Sequence, residues 1–285
     1  MQIAAVQMDV KIGDVAGNSK RMADFVRHNA SGGAQLSVFP ECAATGYCFD
    51  TLEEGRQVGE TLNSSLSIET MTAACRATSS YAVYGTLEKT ETELFNAAVL
   101  VGPQGLIGSY RKVHLPWLGI DKYTTYGDRP FDVHEVGGVR LGMNICYDSG
   151  FPESSRCLTL LGADLVVLPT NWPPGAECLA EHAIRTRAME NGIYYVAVNR
   201  VGEERGTTFI GRSSICAPNG DVMAMASPNH EEILIAEIDP ERARRKRIVR
   251  TPGKHVIDRV ADRRPDMYGP LVAPSTLRTP RQDNG

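Results

Sequence analysis

Apolar positions along the first two hundred residues alternate between short continuous runs that suit strands and longer stretches with apolar residues three and four apart that suit helices. The opening run, Ile3 to Gln7, predicts a strand, and Met22, Phe25, Val26 and Asn29 mark one face of a helix expected from about Asn18 to Asn29. An apolar strand from Leu36 to Phe39 stops at Pro40-Glu41. Tyr81 to Leu87, Asn96 to Val101 and Leu106 to Val113 read as consecutive, paired strands, the last two joined by the turn GPQG. Val139 to Ile145 predicts a strand that runs into Cys146, and Pro152, a favoured first helical residue, starts a helix to about Leu161 that Gly162-Ala163 closes. The nearly apolar strand Leu165 to Leu168 ends at Pro169-Thr170-Asn171. A helix over Glu177 to Asn191, with Ala180, Ala183, Ile184 and Ala188 on one face, precedes a strand from Ile193 to Val198.

This alternation is the pattern of a layered α/β fold. GGAQLSVFPE, ending at Glu41, echoes LGADLVVLPT, ending at Thr170: each is a helix end, a tight Gly-Ala connection, a buried strand and a stop. Two similar halves packed as layers would account for the echo. Beyond Thr251 the chain is rich in Pro and Arg and reads as an extended tail, 251–285, that either lies across a partner subunit or hangs loose. Asp239-Pro240 is a helix start, so the basic run Arg242 to Arg250 reads as a solvated helix face or, alternatively, a contact for an anionic partner.

The 42% hydrophobic content of 285 residues is enough for a substantial core. A formal charge of −4 gives no footprint for nucleic acid. The N-terminus lacks the basic start and long apolar segment of a signal peptide. No apolar run approaches the roughly 20 residues that cross a bilayer, so no membrane association is expected. Seven irregularly spaced cysteines suggest no disulfide framework and fit a reducing cytoplasm.

Ligands of open α/β sheets bind beyond the carboxyl ends of strands, and Glu41, Cys146 and Asn171 all sit at such ends, with Lys112 closing a fourth strand in SYRKVHLP. A lone cysteine is ordinarily a small buried hydrophobe. The run GMNICYDSGFPE instead sets Cys146 at a sharp strand-to-helix junction, where the following backbone N–H groups would face a reacting oxygen. Cys42, Cys48, Cys75, Cys157, Cys178 and Cys216 have no comparable setting and read as structural thiols. No histidine sits in a recognisable dyad, which leaves a carboxylate and a lysine as helpers. Glu41, after a proline at the end of a buried strand, is expected to have the raised carboxyl pKa useful for proton transfer. Lys112 is expected to favour the thiolate and to stabilise an oxyanion.

These stretches together resemble the nitrilase superfamily of carbon–nitrogen hydrolases. FPE with Glu41, YRKVHLP with Lys112 and NICYDSGFPE with Cys146 recur in the family's order, and IAAVQMDVKIGD, TGY at Tyr47, LPTNWPP at Asn171-Trp172, RAMENGIYYVAVNRVG, GRSSICAPNG and DRRPDMYG extend the likeness over nearly the whole chain. The resemblance implies one domain over 1–285 with a four-layer α-β-β-α sandwich, and homo-oligomers formed across helical faces. It implies Glu41 as general base and acid, Lys112 as oxyanion-stabilising cation, Cys146 as nucleophile and the Tyr147 backbone N–H as second oxyanion donor. Many members carry a further glutamate at the position of Ile120 here. The adjacent Asp121 then either takes over its orienting role with a shorter arm or is a surface aspartate.

The implied reaction is cysteine-dependent hydrolysis of a non-peptide C–N bond in a small linear carboxamide through a thioester, without metal or cofactor. HExxH, CxxC, Walker and GxGxxG motifs are absent, as is the GxSxG of serine hydrolases. Tyr147 followed by Asp148 ranks carboxamides first, N-carbamoyl amines or amino acids second and nitriles third. Tyr47, Trp117, Leu118, Tyr126, Tyr147, Asn171 and Trp172 are candidate walls of the substrate pocket. Arg129, Arg185, Arg187 and Arg212 are candidate cations for a substrate carboxylate. A catalytically silent scaffold is the alternative from another class.

Overall fold

The computed structural model describes residues 1–284. Chain order runs through β1 (Gln2–Gln7), β2 (Leu36–Val38), β3 (Tyr81–Lys89), β4 (Leu94–Gly102), β5 (Gly105–Arg111), β6 (Val133–Val136), β7 (Val139–Met143), β8 (Leu165–Pro169) and β9 (Tyr194–Val198). A small hairpin, β10 (Glu203–Glu204) with β11 (Thr207–Thr208), precedes β12 (Ser214–Cys216), β13 (Val222–Met225) and β14 (Glu232–Glu237). They form two six-stranded sheets, ordered β14-β1-β2-β3-β4-β5 and β13-β12-β9-β8-β7-β6. In both, two parallel pairings around a central strand, β2 or β8, are flanked by antiparallel ones. The sequence echo thus falls on the two equivalent central strands.

Alternating side chains decide how the layers stack. In the first sheet Ile3, Ala5, Val38, Val83, Ala98 and Leu100 face inward and join Leu141, Leu165 and Val167 of the second sheet in one core. The opposite phase, Val6, Ala82, Tyr84, Val99 and Val101, packs under α1 (Val15–Ser31) and α3 (Leu66–Thr78). Leu158 of α4 (Pro152–Leu160) and Ile184 and Ala188 of α5 (Ile184–Asn191) close the other side. The result is the expected α-β-β-α sandwich.

Local chemistry sets the helix ends. The Asp14 side chain accepts from Gly17 N at 3.0 Å and starts α1 three residues before the position expected from apolar spacing alone. Two helices beyond those expected, α2 (Leu52–Val58) and α3, follow β2; Ser65 caps α3, and Ile68, Met71, Thr72 and Cys75 lie on its buried face. The helix expected over 177–191 is present, with a π turn at Leu179–Ala183 leading into α5.

The C-terminal region departs from expectation. The basic run is not one helix face: α6 (Pro240–Arg244) ends within it, and Ile248-Val249 carry the chain into β15 (Arg247–Thr251), paired with β16 (His255–Asp258). Two consecutive β-branched residues favour that switch. The tail is not simply extended either. After β16 come two short 3-10 turns and α7 (Pro280–Asn284), which has a proline at its first position. Among the described residues no helix is long and apolar enough to cross a membrane.

One close approach fixes the site. Gly85 in β3 accepts Ala44 N and donates to Pro40 O, at 3.1 and 3.0 Å, so the segment bearing Glu41 lies against its Cα. A Cβ at Gly85 would stand 2.2 Å from Cys42 N and 2.6 Å from Glu41 Cα, neither of which is a movable side chain. Gly85→Ala is expected to destabilise the protein by about 1–3 kcal/mol through overpacking, read from urea unfolding. Turnover is expected to fall by roughly 10²-fold as Glu41 is displaced. Unaltered turnover with unaltered stability would show that the backbone at Glu41 has room to give.

Candidate active site

Glu41 and Cys146 arrive on sharp turns. Cys42, directly after Glu41, has φ of 48°, and Cys146 itself has φ of 43°, both in the left-handed region that non-glycine residues rarely occupy. Each is held there by bonds. Gly46 N and Thr45 N donate to Cys42 O at 2.8 and 3.1 Å, and Ser149 Oγ donates to Cys146 O at 2.7 Å. Cys146 opens a 3-10 turn, Cys146–Gly150, and the Tyr147 N–H lies in its first turn, where a helix leaves donors without intrahelical acceptors. Lys112 lies just past β5, tied by its N–H to Asn96 O and by its carbonyl to Gly127 N, each at 2.8 Å.

The side chains converge in a buried cluster. Lys112 Nζ donates to Glu41 Oε1 at 2.7 Å and to Asp121 Oδ2 at 2.6 Å, and all three residues are fully buried. Asn96 Nδ2 bridges the same carboxylates, 2.7 Å from Glu41 Oε1 and 2.9 Å from Asp121 Oδ1. Tyr47 OH donates to Asp121 Oδ2 at 2.8 Å. Glu41 Oε2 is buried and has no hydrogen-bond partner. Cys146 is 6% exposed and feels the charges of both Glu41 and Lys112.

Electrostatics then set the resting protonation. Burial raises the Glu41 carboxyl; Lys112 opposes this and Asp121 reinforces it. Burial alone would lower Lys112, but Asp121, Glu41 and Cys146 outweigh it and hold the ammonium well above its ordinary range. Burial first and Glu41 second push the Cys146 thiol well up, and Lys112 recovers only part of this. Lys112 acts on the thiol in the expected direction, favouring the thiolate, but its charge is shared by two carboxylates and burial with Glu41 outweighs it.

Of the remaining candidates, Asp121 is no surface residue. Ile120 points into the apolar cluster with Leu94 and Leu87, which turns the next side chain toward Lys112. Tyr47 is buried beneath Asp121 and also donates to Leu118 O at 3.1 Å. Asn171 Nδ2 donates to Glu41 O at 3.0 Å, and Trp172 shares the core cluster with Cys146. Tyr147 is 39% exposed and meets Phe151 edge-on at 5.0 Å. Trp117 carries the Lys122 ammonium 6.0 Å from its ring, and Tyr126 carries Arg281 at 5.1 Å; neither contact involves the Glu41–Lys112–Cys146 cluster. Three of the four candidate cations are already engaged, Arg129 with Glu88, Arg187 with Ser149 O and Glu190, and Arg212 with Glu181.

Several positioning residues were missed. Asn96 shares the inward phase of β4 with Ala98 and Leu100, so a polar residue on an apolar face was its signal. The Arg200 guanidinium, fully buried, donates to Glu204 Oε1 at 2.7 Å, and Glu204 Oε2 accepts from Tyr47 N and Cys48 N. Buried Asp148 ties the nucleophile turn to the lysine segment: Oδ2 accepts from Ile145 N and Tyr110 OH, both at 2.8 Å, and Oδ1 from His114 N and Nδ1 at 3.2 and 2.7 Å. Ile145 is local, but Tyr110 and His114 lie 38 and 34 residues from Asp148, and no local signal marks them. Asp148→Asn turns one acceptor edge into a donor, so a loss of about 1–3 kcal/mol is expected in urea unfolding, together with reduced kcat. A fully retained stability would remove Asp148 from this role.

The chain matches the model of the carbon-nitrogen hydrolase family over residues 2–248. It is 39% identical over 268 residues to a nitrilase from Pyrococcus abyssi, covering 94% of this chain and 99% of the relative. An (R)-stereoselective amidase from Pseudomonas sp. is 33% identical over 248 residues, 86% of this chain and 88% of the relative. The crystal structure of an amidase from Nesterenkonia sp. superposes with a TM-score of 0.81 over 95% of this chain and 96% of that one, at 24% identity, which carries the fold. The motifs, the sandwich and these likenesses agree: the chain belongs to the carbon–nitrogen hydrolase family, the nitrilase superfamily, whose chemistry is hydrolysis of C–N bonds other than peptide bonds.

Proposed function

We propose that this protein hydrolyses a small linear carboxamide through a thioester on Cys146. The observation that carries the reading is the division of labour within Glu41: Oε1 is occupied by Lys112 and Asn96, whereas buried Oε2 has no partner and is free to take a proton, in a site whose charges act on the Cys146 thiol. With the resting thiol protonated, the proton must leave as sulfur attacks the carbonyl, and Glu41 is the available base. The oxyanion is held by the Lys112 ammonium and the Tyr147 N–H. Glu41 returns the proton to the departing nitrogen, releasing ammonia or an amine. Water, deprotonated by the same carboxylate, attacks the thioester; the acid leaves and the thiol is restored. Asp121 acts through Lys112, because both its oxygens are spent on Lys112, Tyr47 and Asn96.

Carboxamides rank ahead of N-carbamoyl amines or amino acids, a ranking supported by Arg129, Arg187 and Arg212, three of the four candidate cations for a substrate carboxylate, which already have partners. Homo-oligomerisation belongs to the same proposal, supported by a C-terminal tail whose Val272 and Leu277 are 87% and 84% exposed. So does a cytoplasmic location, supported by seven unbridged cysteines.

Ammonia release from a panel of carboxamides, N-carbamoyl compounds and nitriles is expected to be fastest on the carboxamides and to vanish in Cys146→Ala. No turnover on any panel member would favour the scaffold reading. Glu41→Gln is expected to lower kcat by roughly 10²–10⁴-fold. Because the working form of Glu41 is the carboxylate and its pKa is raised, activity is expected to fall as pH drops through a midpoint above that of an ordinary glutamate. A midpoint at or below the ordinary value would remove Glu41 as the base. Iodoacetamide is expected to alkylate resting Cys146 slowly at neutral pH and faster in alkali; rapid neutral alkylation would mean a standing thiolate.

A further inference from the structure

The basic run that catalysis leaves unused builds a site of its own. A cavity of about 580 Å³ opens between the end of α5 and β15, lined by Arg242, Arg245, Lys246, Arg250 and Arg259 with Met189 on its apolar side. Neither aspartate nor glutamate is among its lining residues, and none belongs to the Glu41–Lys112–Cys146 cluster. Five cations thus share one concavity in a chain whose formal charge is −4.

What these cations touch sets them apart from their neighbours. Arg244, in the same run, is saturated by Asp164 and Glu241, each at 2.8 Å. Lys246 Nζ caps α5 through Asn191 O and Gly192 O, at 3.1 and 2.9 Å, as a cation at a helix C-terminus should. Arg245 Nε and Arg259 donate to the backbone carbonyls of Glu241 and Met189. Among the described residues none of the five forms an ion pair, and Arg242 and Arg250 make no side-chain hydrogen bond at all. Burial first drives Lys246 down to about 8, with Asp164 and Asp258 opposing the shift and Arg140 and Arg156 adding to it. Like charges gathered with no carboxylate in the lining repel, and a bound anion would turn that repulsion into attraction.

We infer that this cavity binds a small phosphorylated molecule, distinct from the amide substrate, whose phosphate oxygens are held by Arg242, Arg245 and Arg250 and whose organic part rests against Met189. Guanidinium forks match phosphate oxygens in pairs, and so many cations exceed what a single carboxylate would neutralise. The volume lies within the range of small-molecule sites.

The test titrates inorganic pyrophosphate into the full-length protein by calorimetry, with acetate as the comparison anion. Pyrophosphate is expected to bind once per chain, more tightly than acetate, and to weaken as salt rises. Arg242→Ser combined with Arg250→Ser should lower affinity roughly tenfold or more with the melting temperature retained, since both side chains are exposed and unpaired. Arg247→Ser, in the same strand but outside the lining, should leave affinity unchanged. Absence of binding at millimolar pyrophosphate would overturn the site, as would an equal loss from Arg247→Ser, which would mean diffuse surface charge. A double variant that binds pyrophosphate normally but loses self-association would assign the face to a second copy of the chain instead.

Discussion

The site depends on a single ammonium buried between two carboxylates. Lys112 is fully buried, and removing such a charge from water is offset only when well-placed anions and hydrogen bonds replace the lost solvent. Glu41, from the end of β2, and Asp121, from the turn after β5, supply them, while Asn96 in β4 holds both carboxylates at a fixed spacing. The same arrangement decides the sulfur's chemistry. With its charge shared in this way, Lys112 offsets only part of the rise that burial and Glu41 impose on the Cys146 thiol, and in the proposed mechanism its positive charge serves the oxyanion.

That geometry is maintained by two further buried carboxylates that touch none of the reacting atoms. Asp148 gathers donors from the nucleophile turn and from both sides of Lys112, so the two loops cannot shift independently. Glu204, braced by Arg200, holds the backbone at Tyr47, whose hydroxyl in turn holds Asp121. Both hydrogen-bond sets lie at the ends of strands, where a rigid scaffold meets loops free to carry chemistry.

The two sheets share a pairing pattern, and the site lies where their equivalent strands face each other. β2 leads to Glu41 and β8 to Thr170 and Asn171, and Asn171 Nδ2 reaches back to Glu41 O across the sandwich. Thr170 and Asn171, which follow β8, are fully buried. One half therefore supplies Glu41 and Lys112, the proposed base and cation, and the other supplies Cys146, the proposed nucleophile. The cationic cavity lies apart from this junction, at the end of α5, and shares no residue with it.

Apolar spacing sufficed for the central strands, the helix over 177–191 and the placement of Glu41, Lys112 and Cys146 at strand ends, because each of these is written in neighbouring residues. The same spacing is present in α3, while the C-terminal hairpin and turns gain definition from pairing and packing that a local pattern does not report. Asp121 stood undecided in the sequence between surface and site; the burial of Ile120 beside Leu94 decided it. Asn96, Asp148 and Glu204 acquired roles only when residues tens to hundreds of positions away were folded against them. The protonation of Cys146 belongs to this second class. Residue identity names the acid, the base and the cation, but the proton's place is set by burial and by charges that meet only in the tertiary structure.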